Sequence, residues 1–149
     1  MKRKLTNYKR VKNLTNTYSD RVKFKEVDSL GIVWHGHYIS YFEEGREAFG
    51  REHDISYLEI KRNDFSTPVV NVVCNYKKSL RYGETYTIKT FILDNLSAKI
   101  IMEYEIYNEN HELVCEGQTT QVFVDRDGTL ALYNPDFYQR WRKKNNIID

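Results

Sequence analysis

The chain has 149 residues, about the length of one domain, which excludes a two-domain enzyme. Its 23 Lys and Arg against 21 Asp and Glu give +2, but the basic groups gather at the ends: six in residues 1–12, four in 140–144, leaving 13–139 at a net −7. A body of that sign repels phosphate backbones, so nucleic acid is not expected as a partner. No run approaches the roughly 18 apolar residues of a membrane span and no apolar leader follows the basic start, so the expected location is cytoplasmic.

Residues 1–17 are basic and polar with no sustained period, and read as a flexible lead-in to a single domain over 18–149. Val22 and Phe24 alternate with Arg21, Lys23 and Lys25, predicting a half-buried strand from Tyr18 that ends near Glu26. Asp28-Ser29-Leu30-Gly31 is turn chemistry. From Tyr38 the period becomes helical, with Tyr38, Tyr41, Phe42, Gly45, Ala48 and Phe49 on one stripe. A glycine there costs about 1 kcal/mol relative to Ala, so Gly45 predicts a very close neighbour, as a sheet laid over the helix would be.

Residues 55–67 read as a short helix and a loop. Four strand-like runs follow, 69–77, 85–93, 99–107 and 113–124, separated by short polar turns at 81–84, 94–95 and 108–110. Short turns predict hairpins, hence a mainly antiparallel meander. Asp125-Arg126-Asp127-Gly128 closes the last strand, and 135–143 predicts a short amphipathic C-terminal helix. The expected class is α+β, helix on sheet. Cys74 and Cys115 lie in apolar runs, which fits reduced core thiols.

The segment from Phe24 to Tyr38 holds the chemistry. It places a carboxylate, Asp28, shortly before the N-terminus of a helix whose first N–H groups have no partner inside the helix. Those N–H groups and the helix dipole favour negative charge, so a carbonyl becoming an oxyanion suits the place. The donors would be the N–H groups of His35, Gly36 or His37, with Asp28 as base or nucleophile. The plainer reading of Asp28 is a turn residue. His35 and His37 give too few ligands for a metal, and no metal or cofactor is expected. Lys77, Lys78 and Arg81 cluster at a strand end, either to meet phosphates or as a solvated hairpin. Gly-x-Ser-x-Gly, a phosphate-binding Gly-rich loop and zinc spacings are all absent.

Asp28, Gly31, Ile32, Val33, Trp34 and Tyr38, followed by Tyr41-Phe42-Glu43-Glu44-Gly45-Arg46 and by Ser79-Leu80-Arg81-Tyr82-Gly83-Glu84, resemble the hotdog-fold thioesterases of the 4-hydroxybenzoyl-CoA thioesterase family. The chain is also similar to the acyl-CoA thioesterases associated with bacterial Tol-Pal operons. The resemblance implies a long helix wrapped by a five- or six-stranded antiparallel sheet, a homodimer or homotetramer, and an active site at the dimer interface. It implies hydrolysis of an acyl-CoA, or of an acyl-ACP, without metal or cofactor. Asp28 stands at the family's catalytic carboxylate, and His35 at a position that is His or Tyr in relatives, with its N–H as oxyanion donor. Gly36, His37 and Tyr38 would complete the oxyanion and substrate-binding turn, and Lys77, Lys78 and Arg81 would bind CoA. His37 departs from the Asn common before the helix Tyr. Lys2, Arg3, Lys4, Lys9, Arg10 and Lys12 would be the basic rim for an acidic carrier protein.

Overall fold

In the computed structural model, which describes residues 5–147, the chain runs β1 (Arg10–Arg21), α1 (His37–Glu52), α2 (Tyr57–Arg62), β2 (Phe65–Ser66), β3 (Val69–Tyr76), β4 (Thr85–Leu93), β5 (Lys99–Tyr107), β6 (Leu113–Val122), β7 (Val124–Asp125) and α3 (Asp136–Lys144). One antiparallel sheet has the order β1-β4-β5-β6-β3, and β2 pairs with β7 beside it.

Helix α1 lies against one face of this sheet because its apolar stripe does: Tyr38, Tyr41, Phe42, Gly45 and Phe49 are buried. Phe42 stacks on Tyr104 of β5, ring centroids 4.6 Å apart. Gly45 sits where the sequence asks for a close neighbour, since a Cβ there would meet Ile88 Cγ2 of β4 at 2.8 Å and collide with Thr90 Oγ1. Gly45→Ala therefore gains up to about 1 kcal/mol of helix propensity and loses about 1–3 kcal/mol to overpacking. The expected net is a lower urea midpoint; a raised midpoint would mean that β4 yields to the methyl group.

The chain departs from the sequence expectations in three places. The lead-in expected over 1–17 is already strand from Arg10, paired with β4, and its pattern is masked because Asn13 takes a positive φ of 66° and a bulge breaks that pairing between Arg10 and Thr15. The bulge shifts the inward positions, Leu14 and Asn16 being buried beyond it, so no single period of two spans the strand. Second, the first strand stops at Arg21 instead of running to Glu26. Residues Phe24–Glu26 form a 3-10 turn in which Phe24 is 78 % exposed, while Val22 is buried and Glu26 turns inward.

Third, residues 81–84 do not close a hairpin. β3 lies at the far edge beside β6, and 77–84 crosses the sheet to enter β4 next to β1. Leu80, fully buried, holds this crossing: its carbonyl accepts the Val33 N–H at 2.9 Å and its N–H donates to Tyr38 Oη at 3.1 Å. Gly83, at φ 81°, does reverse the chain, but towards Val22. Cys74 and Cys115 are free thiols, Cys115 buried and Cys74 half-buried, with their sulfurs 3.4 Å apart.

Candidate active site

The loop between β1 and α1 is pinned at both ends before it reaches Asp28. Glu26 is 6 % exposed, and its Oε1 accepts the Lys23 N–H at 2.8 Å and the Tyr41 hydroxyl at 3.1 Å. Its carbonyl accepts the Trp34 N–H at 2.9 Å. One residue thus ties the loop to itself and to the first turns of α1. Burial, with Glu26 close by, pushes the Tyr41 hydroxyl well above the usual phenol range, so it stays a donor. The Tyr41 ring stacks on Tyr86 at 4.3 Å, and Tyr86 donates to Glu44 at 2.8 Å.

Beyond Glu26 the chain makes a tight turn. The Asp28 N–H donates to Ile32 O at 2.9 Å, and Gly31, at φ 77°, donates to Asp28 O at 3.0 Å. Asp28 is half-buried, and its Oδ1 accepts the Leu30 N–H at 2.8 Å. The turn role leaves room for a chemical one: one carboxylate oxygen orders the turn, and the other has no hydrogen bond among the described residues.

Asp28, His35, Tyr38, Lys77 and Lys78 line one open cleft of about 300 Å³, together with Tyr76. Of the three donor N–H groups named from the sequence, that of His37 is already engaged with Trp34 O at 2.9 Å. Those of His35 and Gly36 make no hydrogen bond among the described residues. Gly36 is the N-cap of α1, and the Trp34 indole lies so close over it that any Cβ would strike the ring, Cε3 at 2.7 Å. The Tyr38 hydroxyl is occupied by Leu80 N–H, and burial raises its pKa. Arg81 is exposed and is not part of the cleft lining. Lys77 pairs with Glu116 at 3.4 Å and Lys78 with Glu112, which holds the Glu112 carboxyl below the usual carboxylate range. Both are surface pairs, weak enough for a phosphate to displace.

Two contributors escape a sequence reading. Glu26 falls on the Val22, Phe24, Glu26 alternation expected from the sequence, which the 3-10 turn breaks at the exposed Phe24, so its burial had no sound local signal. Tyr76, whose hydroxyl donates to His35 O at 2.8 Å, gives no local signal at all. A second cavity of about 430 Å³ lies between α1, α2 and the sheet, lined by Phe49, Ile60, Ile92 and Met102, with Arg46 and Val69 at its border.

A sequence profile of the thioesterase-like superfamily matches residues 22–142. YneP of Bacillus subtilis, provisionally named an acyl-CoA thioesterase, is 34% identical over 120 residues, 80% of this chain and 87% of that one. The acyl-CoA thioester hydrolase YbgC of Escherichia coli O6:H1 is 24% identical over 105 residues, 70% of this chain and 78% of its own length. The crystal structure of a DHNA-CoA thioesterase from Staphylococcus aureus matches with a TM-score of 0.79 at 26% identity, covering 89% of this chain and 92% of that one. Helix on antiparallel sheet, the Asp28 turn before α1 and these matches agree: the chain has the hotdog fold and belongs to the thioesterase-like superfamily.

Proposed function

We propose that the protein hydrolyses the thioester of an acyl-CoA to the free acid and CoA. The observation that carries this reading is that Asp28, with one carboxylate oxygen unengaged, shares a cleft with His35 at the start of α1, where two N–H groups are unengaged. A thioester carbonyl set there turns its oxygen towards the His35 and Gly36 N–H groups, which stabilise the negative charge that develops on it. Asp28 supplies the electron pair, either by taking a proton from the attacking water or by attacking the carbonyl carbon itself. The C–S bond breaks, and the CoA sulfur leaves as thiolate and takes a proton from water or from Asp28; where Asp28 is the nucleophile, a water then hydrolyses the acyl-Asp28 anhydride, which releases the acid and restores the carboxylate. Lys77 and Lys78 stand at the rim, where CoA phosphates would replace Glu116 and Glu112 as partners.

The working unit in this proposal is a homodimer, alone or paired into a tetramer. β3 is an edge strand with an unpaired side, which a second copy can cover. Two-fold antiparallel pairing of β3 with its copy, if centred on the strand, would set its two ends, Val69 and Tyr76, across from each other at the seam. The apolar cavity of about 430 Å³, which Val69 helps to line at the end of β3, is the place proposed for the acyl group. The carrier reading is CoA because Lys77 and Lys78 line the Asp28 cleft itself, whereas Arg10, paired with Glu103 at 2.6 Å and Glu105 at 3.3 Å, and the exposed Lys9 and Lys12 are not part of its lining. Lys2, Arg3 and Lys4 lie outside the described residues. The free thiols suit the reducing cytoplasm, where acyl-CoA is made and used.

The test is release of free thiol from short, medium, long and aromatic acyl-CoAs by material whose mass is measured by sedimentation. Hydrolysis of at least one class by a dimer or tetramer is expected. Retention of acyl-CoA without turnover would replace the reading by a non-catalytic binding role, and turnover of acyl-ACP alone would move it to the carrier protein.

A further inference from the structure

The peptide joining His35 to Gly36 carries one of the two unengaged donor N–H groups, and its opposite side is held. Tyr76, the last residue of β3, donates its hydroxyl to His35 O at 2.8 Å. In a planar trans peptide, the C=O of one residue and the N–H of the next point in opposite directions. A bond that fixes the His35 carbonyl therefore fixes the Gly36 N–H as well, and it polarises the amide so that this N–H becomes a stronger donor. The Tyr76 ring is itself located, edge-on to Tyr38 at 5.4 Å, in the lining of the Asp28 cleft. Partial desolvation, with the Cys74 sulfur close by, pushes the Tyr76 hydroxyl above its ordinary range, so it remains a protonated donor. Tyr76 is 49 % exposed, so water could satisfy its hydroxyl, and folding alone does not require the bond to His35.

We propose that Tyr76 is a positioning residue: through the His35–Gly36 peptide, its hydroxyl aims the Gly36 N–H at the thioester oxygen as that oxygen becomes an oxyanion. The assignment rests on the thioesterase reading above and adds to it a residue that touches no reacting atom. Its contribution falls in the transition state, when charge reaches the oxygen, and little of it is felt by bound substrate.

Tyr76→Phe removes one oxygen and keeps the ring. Loss of a whole oxyanion donor costs about 100- to 1,000-fold, and loosening one costs less, so kcat is expected to fall roughly tenfold. KM should stay within about twofold and the acidic limb of the kcat–pH profile should not move. In NMR spectra the His35 carbonyl carbon and the Gly36 amide proton should both shift upfield, which a purely structural loss at β3 would not produce as a pair. An unchanged kcat, or a raised KM with kcat intact, in a wild type that does hydrolyse thioesters overturns this assignment and leaves the thioesterase reading standing. A wild type inert to every thioester overturns that reading, and unmoved His35 and Gly36 resonances then overturn the peptide link on their own. If Tyr76→Phe fails to fold, Tyr76→Met removes the same hydroxyl for the same measurements.

Discussion

Asp28→Asn is expected to lower kcat for acyl-CoA hydrolysis at least 100-fold while leaving fold and assembly intact. The substitution separates the turn role seen in the structure from the chemical role proposed for this side chain. The amide oxygen of Asn continues to accept the Leu30 N–H, now 2.8 Å from Asp28 Oδ1, so the turn keeps its hydrogen bond. What is lost is the oxygen without a hydrogen bond among the described residues, the one free to act as base or nucleophile. An amide has neither the basicity to take a proton from water nor the charge to attack a thioester carbonyl. The residual rate then comes from the N–H groups at the start of α1, which the substitution does not touch. The measurement is kcat and KM for the best acyl-CoA, beside the thermal midpoint and sedimentation mass of the variant. A variant that turns over like wild type would place the chemistry elsewhere in the cleft and reduce Asp28 to its turn role.

Local signals carried most of the fold. Strands β4 and β5 begin and end where alternation and polar turns place them, and Gly45 announces the sheet that Ile88 and Thr90 bring against it. The Asp28 turn ahead of α1 was legible because turn residues and helix start lie within ten residues. Misreadings arise where distant partners decide. The bulge at Asn13 hides β1, since a two-residue period restarts beyond it. The position of β3 depends on pairing with β6 rather than on the turn that follows it, so hairpin chemistry at Tyr82-Gly83 pointed to the wrong neighbour. Contacts between Tyr76 and His35, and between Cys74 and Cys115, each span 41 positions, and no window of sequence reports them.

Glu26→Ala should be the most damaging change outside the reacting groups, in stability and rate together. The carboxylate is buried at 6 % exposure and serves two donors, Lys23 N–H and Tyr41 Oη. The buried Tyr41 hydroxyl left without an acceptor costs about 1–3 kcal/mol and the part-buried Lys23 N–H about 1 kcal/mol, so the expected loss of unfolding free energy is about 2–4 kcal/mol. Glu26→Gln keeps one acceptor oxygen and nearly the same shape, and should lose less than half as much. The kinetic consequence follows from what Glu26 joins. Its side chain holds α1 through Tyr41, its carbonyl holds Trp34, and Asp28 lies two residues on, so it sets the distance between the carboxylate and the helix start. A misplacement of about 1 Å between reacting groups costs on the order of 100-fold, so the Ala variant should lose most of its kcat even at temperatures where it is fully folded. Urea unfolding gives the first quantity and kcat at low temperature the second. An Ala variant that is destabilised yet fully active would show that the Asp28 turn keeps its place without Glu26, through its own hydrogen bonds and the Val33–Leu80 bond. A stable and fully active one would remove Glu26 from both roles, because a buried carboxylate with two donors cannot be deleted without cost unless water takes its place.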